Sequence, residues 1–333
     1  MTKRIKDTDY LAISARIRAM ENRLLTRERM ERVLTAHSEE EAAKLLEECG
    51  YSGLDAAPEK LDASLLAARQ ELLQDLEGSV PDTGYIDIFR LKYDYHNVKA
   101  LLKSHFAGVK AEHILMDLGR IGVKELAATM ESGEYDALPG LLGQAAAEGK
   151  TILDTTRDAQ LMEIALDRWY YREMLAIAEK TGSNFLRGFV RVQIDAANLR
   201  ALVRTIRMGK NSEFLKLVLI EGGEIAPEEL LAIRDDQGSG LAEHYAATAL
   251  EEAARQGAEV LKGGALTEFE KECDDAVSTY LGDARFTPFG EQTVVSYLAA
   301  RETEYTNLRI LLLGRAMGLD AEIIRSRLRG GEQ

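Results

Sequence analysis

Apolar residues recur along most of this chain at intervals of three and four, with charged residues between them, a spacing typical of amphipathic helices. The spacing predicts helical segments at 10–34, 38–50, 158–180 and 240–262. Ser38 before an acidic run is a typical helix start, and Gly50 is a typical helix end. No alternating apolar and polar run is long enough to suggest a sheet. The sequence therefore predicts an all-α fold.

One polar pattern, [Asp/Glu]-x-x-Asn-[Leu/Val]-[Lys/Arg]-x-Leu-[Leu/Val], occurs three times, with its Asn residues spaced by 101 and 109 positions. Its acids are Asp94, Asp195 and Glu304, its amides are Asn97, Asn198 and Asn307, and its bases are Lys99, Arg200 and Arg309. Coincidence explains such a recurrence poorly, so we infer a triplicated unit. We expect three tandem helical domains, at residues 1–110, 111–212 and 213–333.

A glycine follows each motif Asn by eleven residues, at Gly108, Gly209 and Gly318. Glycine adopts the left-handed conformation just past a helix end at no steric cost. We therefore expect these three glycines to act as C-caps of the motif helices.

The acid and the Asn of each motif are three residues apart, so they share one face of a helix that borders its apolar stripe. A buried acid or amide needs partners, since leaving one unpaired costs about 1–3 kcal/mol. We favour the interpretation that each pair fixes how its helix packs. The alternative is that the three pairs line a shared cavity and grip a partner. Catalysis is the weakest interpretation, because no His or Cys accompanies all three copies.

Length, charge and cysteine content argue against several classes of protein. The 333 residues are enough for two or three domains, and the net charge of −14 argues against binding to nucleic acid or to an anionic lipid surface. Cys49 and Cys273 form no disulfide framework and no metal-ligand spacing. The N-terminus lacks the apolar core of a secretory signal, and the longest apolar runs are too short to span a membrane.

The strongest enzyme-like signal is "GQAAAEGKT" at 143–151, which resembles a phosphate-binding P-loop. Five residues separate its two glycines where a P-loop has four, and no apolar strand precedes it. We expect a helix that ends at Gly149. The five histidines show no zinc-type spacing. The sequence therefore predicts no catalytic residue, no cofactor, no metal and no small-molecule substrate.

Several segments together resemble one protein family. They include "YDYHNVKALLKSHFAG", "FLRGFVRVQIDAANLRALVRTIRMG" and "FTPFGEQTVVSYLAARETEYTNLRILLLGRAMGLDAEIIRSRLR", together with "YLAISARIRAMENRLL" near the N-terminus and "RDAQLMEIALDRWYYREML" in the middle of the chain. In this order they resemble the C subunits of bacterial and archaeal V/A-type ATPases, whose eukaryotic counterpart is the d subunit of the vacuolar proton pump. The resemblance covers the whole chain.

The resemblance implies a funnel of three similar helical domains with pseudo-threefold symmetry. It implies a non-catalytic rotor subunit of the central stalk, present once in a hetero-oligomeric complex. The subunit would be a socket between the central shaft of the soluble head and the membrane proteolipid ring, on the cytoplasmic face. The complex as a whole would couple ATP hydrolysis or synthesis to proton or sodium transport.

Two differences in the third motif copy weaken the interpretation that the three copies grip one partner, and one alternative function stays open. The third motif copy has Glu304 in place of Asp, and Leu313 where Lys103 and Arg204 stand, so a partner gripped equally by all three copies is doubtful. The alternative function is a soluble all-helical adaptor or scaffold unrelated to rotary ATPases.

Overall fold

The computed structural model describes residues 6–111 and 113–329, except for the side chain of Arg285. In the first third of the chain, the α-helices are α1 (Leu11–Glu21), α2 (Arg27–Thr35), α3 (Glu39–Glu48), α4 (Pro58–Glu77) and α5 (Gly84–Ala107). The next helices are α6 (Val123–Ser132), α7 (Leu142–Thr156), α8 (Ala159–Thr181), α9 (Asn184–Arg207), α10 (Ser212–Val218) and α11 (Pro227–Asp235). The last are α12 (Leu241–His244), α13 (Glu251–Leu261), α14 (Leu266–Gly282), α15 (Glu291–Ala316) and α16 (Ala321–Arg327). Short 3₁₀ helices occur at Asp7–Tyr10, Tyr135–Ala137 and Asp283–Phe286.

The all-α prediction is confirmed, because the described residues contain helices and no strand. Local signals set several boundaries. The Ser38 hydroxyl accepts a hydrogen bond from the Glu41 N–H at 3.1 Å and caps α3. The Asp158 carboxylate accepts one from the Gln160 N–H at 2.8 Å and caps α8. Within the described part of the chain, no helix is both long and apolar enough to cross a bilayer.

Three predicted helix boundaries are wrong. The segment 10–34 is interrupted at residues 22–26, and Thr26 caps the new helix α2. The segment 240–262 is interrupted at residues 245–250, where Ala247 has a φ of +64° that no α-helix contains. Helix α7 continues past Gly149 to Thr156, and Gly149 lies buried within it, where a Cβ would come within 2.9 Å of the Leu102 side chain. The glycine therefore allows close helix packing and does not end the helix.

The chain divides into two compact units. The central unit comprises residues 84–277, and the terminal unit comprises residues 1–83 and 278–333. In the central unit α5 packs on α7 and α8, while α9 packs on α8, α10, α11 and α13. One apolar core of this unit includes Leu199, Leu202, Leu230, Tyr245, Phe269 and Cys273.

The terminal unit joins the two ends of the sequence in one core. Helix α15 packs on α1, α2, α4 and α16. Its core includes Leu34, Leu46, Leu61, Tyr305, Leu312 and Ile324. The guanidinium of Arg315 on α15 donates to the backbone carbonyls of Leu34 and Ala36 at 2.7 and 3.1 Å. The third motif helix therefore packs against N-terminal residues in one core. The three predicted domains stay a prediction, and residues 1–5, 112 and 330–333 of them lie outside the described residues.

The three motif copies lie in the three long helices α5, α9 and α15. Just past each helix the chain turns at Gly108, Gly209 or Gly318, whose φ angles are +68°, +64° and +66°. The residue after each glycine donates its N–H to the carbonyl five positions back, from Val109 to Ser104, from Lys210 to Thr205 and from Leu319 to Gly314. Each glycine donates to the carbonyl three positions back. This is the same Schellman arrangement three times, and it requires the positive φ that glycine tolerates.

Candidate functional site

The motif acids and amides lie inside the protein. Asp94, Asn97, Asp195, Asn198, Glu304 and Asn307 are each 4% exposed or less. Each pair faces inward from the middle of a long helix, where all backbone groups of the helix are already hydrogen-bonded. Their backbone partners must therefore come from segments that pack against the helix.

Each motif Asn binds both backbone groups of one residue further along the chain, an arrangement we call an amide clasp. The Asn97 Nδ2 donates to the carbonyl of Met116 at 2.7 Å, and the Met116 N–H donates to Oδ1 at 2.9 Å. Asn198 makes the same two bonds to Ile220 at 2.8 and 2.9 Å. Asn307 makes them to Arg329 at 2.8 and 2.8 Å. The three copies therefore share one geometry.

The clasp explains why the motif needs an amide. A primary amide carries a donor and an acceptor side by side, so it pairs with a peptide N–H and C=O as a neighbouring strand does. A carboxylate of the same size has no donor. Because a buried peptide group must be paired, the clasp fixes a loop on the helix at a defined position.

The first two motif acids bind backbone N–H groups in the same loops. Asp94 accepts from the Arg120 N–H at 3.0 Å. Asp195 accepts from the N–H groups of Glu224 and Ile225 at 2.9 and 3.3 Å. The preceding residue is glycine in both loops, and a Cβ there would overlap the carboxylate. The loops share the sequence Gly-x-Ile, at 119–121 and 223–225.

The third acid differs because its longer side chain reaches another segment. Glu304 accepts from the Leu25 N–H at 2.5 Å and from the Arg301 guanidinium at 2.9 Å. Leu25 lies between α1 and α2 of the terminal unit. The Asp-to-Glu change noted in the sequence thus coincides with an acid that holds the N-terminal segment.

The motif bases form ion pairs with a further helix of the same unit. Lys99 pairs with Asp167 on α8 at 2.5 Å, and Arg309 pairs with Asp62 on α4 at 2.6 Å. Arg200 pairs with Glu270 on α14 at 3.3 Å and also with Asp274. These pairs are partly exposed, so each stabilises the fold by at most about 1 kcal/mol. Each pair ties its motif helix to another long helix.

In the first copy, a buried polar network surrounds Asp94. The Arg120 guanidinium donates to Asp94 at 2.7 Å and to Glu173 on α8 at 2.6 Å. Glu173 also accepts from the Tyr95 hydroxyl at 2.8 Å and from the Leu141 N–H at 3.1 Å. Sequence reasoning missed Arg120 and Glu173. The repeated Gly-x-Ile loop is a signal for Arg120, whereas no sequence pattern distinguishes Glu173 from the exposed acids of α8.

The charge around the acids differs between copies. Burial raises the pKa of Asp94, although the Arg120 guanidinium opposes this. Burial raises the pKa of Asp195 to about 6, because its two backbone donors and the nearby Arg191 offset only part of the desolvation. The residue at the place of Arg120 is Glu224, whose carboxylate raises the pKa of Asp195 further. Burial also raises the pKa of Glu304, against the effect of Arg301.

The other candidate chemistry finds no support in the geometry. Residues 143–151 lie within α7, where Lys150 pairs with Asp154 at 2.6 Å and the Thr151 hydroxyl donates to the Ala147 carbonyl at 2.9 Å. The backbone N–H groups of a helix interior are not available to a phosphate. Among the described residues, no cluster of His, Cys, Asp or Glu is arranged to hold a metal ion.

The arrangement therefore favours packing as the role of the motif. Each Asn uses a donor and an acceptor on the chain's own backbone, and each acid binds a backbone N–H of the same unit. A partner would have to displace these bonds before it could bind the same groups. That the motif pairs serve packing and bind no partner stays a prediction.

We predict that Asn198→Leu destabilises the fold by roughly 2–4 kcal/mol, because it leaves the buried N–H and C=O of Ile220 without partners. The unfolding midpoint in urea measures this loss. Asn184→Leu is the matched control, because Asn184 is exposed at the start of the same helix and should change stability by less than about 0.5 kcal/mol. Equal midpoints for the two variants would contradict the clasp.

We predict that the Asp195 carboxyl titrates near pH 6, well above the ordinary value for an aspartate side chain, because burial raises its pKa. Since this pKa lies above the usual value of about 4 in an unfolded chain, the stability contributed by Asp195 is greatest below pH 4 and falls as pH rises through 6. The carboxyl ¹³C shift of labelled Asp, assigned with Asp195→Asn, follows the titration.

Glu224→Arg supplies the control for this titration. It places a cation where the first copy has Arg120, so the midpoint should move below 6. A midpoint near 4 in the unmodified chain would show that the two backbone hydrogen bonds outweigh burial.

Comparison with known proteins places the chain in a family. The family model described as ATP synthase (C/AC39) subunit matches residues 13–327. The C subunit of the V-type sodium ATPase of Enterococcus hirae is 23% identical over 96% of this chain and 98% of its own length. The C subunit of the A-type ATP synthase of Methanocaldococcus jannaschii is 29% identical over 98% of this chain and 88% of its own. This chain therefore belongs to the ATP synthase (C/AC39) subunit family.

Proposed function

We propose that this chain is a non-catalytic central-stalk subunit of a V/A-type ATPase or ATP synthase. It would be a socket that receives the central shaft of the soluble head and rests on the membrane proteolipid ring. The observation that carries the proposal is the family match from residue 13 to residue 327, which leaves only the ends of the sequence unmatched. The names of the relatives, the C subunits of a V-type ATPase and of an A-type ATP synthase, support the same assignment.

The geometry of the motif helices supports a mechanical role. A coupling subunit must pass torque without deforming, and close-packed helices transmit strain where loose loops absorb it. Each amide clasp fixes one loop on a long helix through two hydrogen bonds. The buried acids fix further points of the same units. We propose that these bonds stiffen the socket.

The proposal includes the arrangement implied by the triplicated motif. Three similar helical domains, near residues 1–110, 111–212 and 213–333, would form a funnel with pseudo-threefold symmetry. In this proposal the third domain borrows N-terminal residues, as the shared core of the terminal unit suggests. The protein would work once per complex, on the cytoplasmic face, and would meet the membrane only through the ring.

The test uses the purified full chain with purified shaft subunits and with the detergent-solubilised ring of the same organism. We expect the chain to bind each partner and to retain the shaft on an immobilised ring, because a socket must hold both at once. Retention of the shaft only when this chain is present would support the proposal.

The control for bridging is the same assay without the chain. A folded chain that binds neither the shaft nor the ring would contradict the proposal. That outcome would favour the alternative, an all-helical adaptor with other partners.

A further inference from the structure

A cavity of about 260 Å³ lies within the terminal unit, beside the third motif copy. Its wall is formed by α1, α2 and the link between them, the last residues of α14, and one face of α15. On α15 the lining residues include Ser296, Ala299, Ala300, Thr303, Glu304 and Asn307. The wall is mainly apolar, and an apolar cavity of about 150 Å³ is enough to bind benzene. The cavity therefore has room for an organic molecule larger than benzene.

Two positions of the motif helix, one and five residues before the acid, differ in size between the repeats. They carry Tyr93 and Phe89 in the first repeat, Ile194 and Val190 in the second, and Thr303 and Ala299 in the third. The four larger side chains are buried, each 7% exposed or less. In the third repeat the same two positions line the cavity. Small side chains therefore stand where the other repeats bury a large apolar group of their own.

Arg27 gives the cavity a positive charge that no acid of the wall balances. The two acids that line the cavity already have partners, because Glu21 pairs with Arg18 at 2.8 Å and Glu304 pairs with Arg301 at 2.9 Å. Arg27 also lines the cavity, is exposed, and forms no ion pair with any described residue. It is the first residue of α2, whose N-terminal N–H groups carry partial positive charge. An anionic group at this part of the wall would therefore be stabilised.

The surroundings of the cavity favour a small molecule over a protein partner. A surface that binds a protein presents a contiguous exposed apolar patch around its pockets. Among the described residues, none of the exposed large apolar side chains lines this cavity. The apolar surface is thus confined to the cavity itself, as it is where a pocket encloses a small ligand.

We propose that this cavity binds a small hydrophobic carboxylate, a molecule with an aromatic or branched aliphatic body and one anionic group. The body lies against Ala299 and Thr303, where the other repeats have large side chains, and the carboxylate faces Arg27. The bound acid also contacts Leu25, whose N–H donates to Glu304 on α15. It therefore stabilises the packing of the N-terminal segment on α15. The inference stands apart from the proposed function, since it involves neither the shaft nor the ring.

The test adds 2-naphthoate, a carboxylate with a fused two-ring body, to the purified full chain. Its uncharged counterpart, 2-naphthamide, is the control ligand. Calorimetry measures the affinity, and the ¹H and ¹⁵N shifts of the Leu25 amide report on the wall of the cavity. We expect 2-naphthoate to bind with a dissociation constant below about 1 mM, the weak affinity of a ligand this small, and to raise the melting temperature. The amide should bind several-fold more weakly, because it cannot pair with Arg27.

Two variants locate the site. Ala299→Val with Thr303→Ile gives the third repeat the residues of the second, and should weaken binding of 2-naphthoate at least about tenfold, since the added methyl groups occupy the cavity. The matched control, Ala316→Val with Thr306→Ile, makes the same two exchanges at exposed positions of α15 and should leave the affinity unchanged. Arg27→Gln, at an exposed position, should reduce the affinity for the acid to that for the amide. This second variant keeps the proposal testable if the filled variant is less stable.

Four outcomes would overturn the inference. One is an unshifted Leu25 amide at 2-naphthoate concentrations well above about 1 mM. Another is equal affinity of the filled variant and its matched control for the acid. A third is equal affinity of the unmodified chain for the acid and the amide, because Arg27 would then hold no anion. The last is a filled variant that loses binding to another protein while the unmodified chain binds no 2-naphthoate, which would assign the cavity to a side chain of a protein partner.

Discussion

A buried Asn side chain that binds both backbone groups of one distant residue constrains the packing of each motif helix. A polar side chain in the middle of a helix finds no free backbone group in that helix, so its backbone partners come from another segment. Asn97, Asn198 and Asn307 each meet this need by pairing with the N–H and the C=O of one residue, 19 or 22 positions further on. Each pairing decides where the chain passes after the motif helix ends.

Other features of the repeats follow from that constraint. Once the loop is fixed by the clasp, the acid one turn earlier in the helix meets the next N–H groups of the loop, as Asp94 and Asp195 do. The close approach excludes any side chain at Gly119 and Gly223. In the third copy the acid is Glu304 and its partner is Leu25, so the same position joins the C-terminal helix to the N-terminal segment. The three repeats therefore share the Asn pairing, whereas the partners of their acids differ.

Sequence alone predicted the helical class, the motif helices and the positive φ at the three glycines. These features depend on local periodicity and on backbone sterics, which neighbouring residues determine. It did not predict the break at 245–250 or the continuation of α7 through Gly149, because tertiary packing decides both. Met116 and Ile220 pair with the motif Asn residues only through backbone atoms, which every residue has. No residue type at these positions could therefore have predicted the pairing. The assignment to a role in a rotary ATPase came from resemblance to a family, and the hydrogen bonds alone do not specify it.

We infer that the motif pairs are satisfied within the chain and need no partner. Hydrogen exchange of the Met116 and Ile220 amides in the isolated protein tests this claim most directly, because both donate to a motif Asn. We predict slow exchange of both amides without any partner, and selective acceleration at Ile220 in Asn198→Leu. Fast exchange in the isolated chain that slows only when shaft or ring is added would contradict the claim, because the clasps would then form on binding.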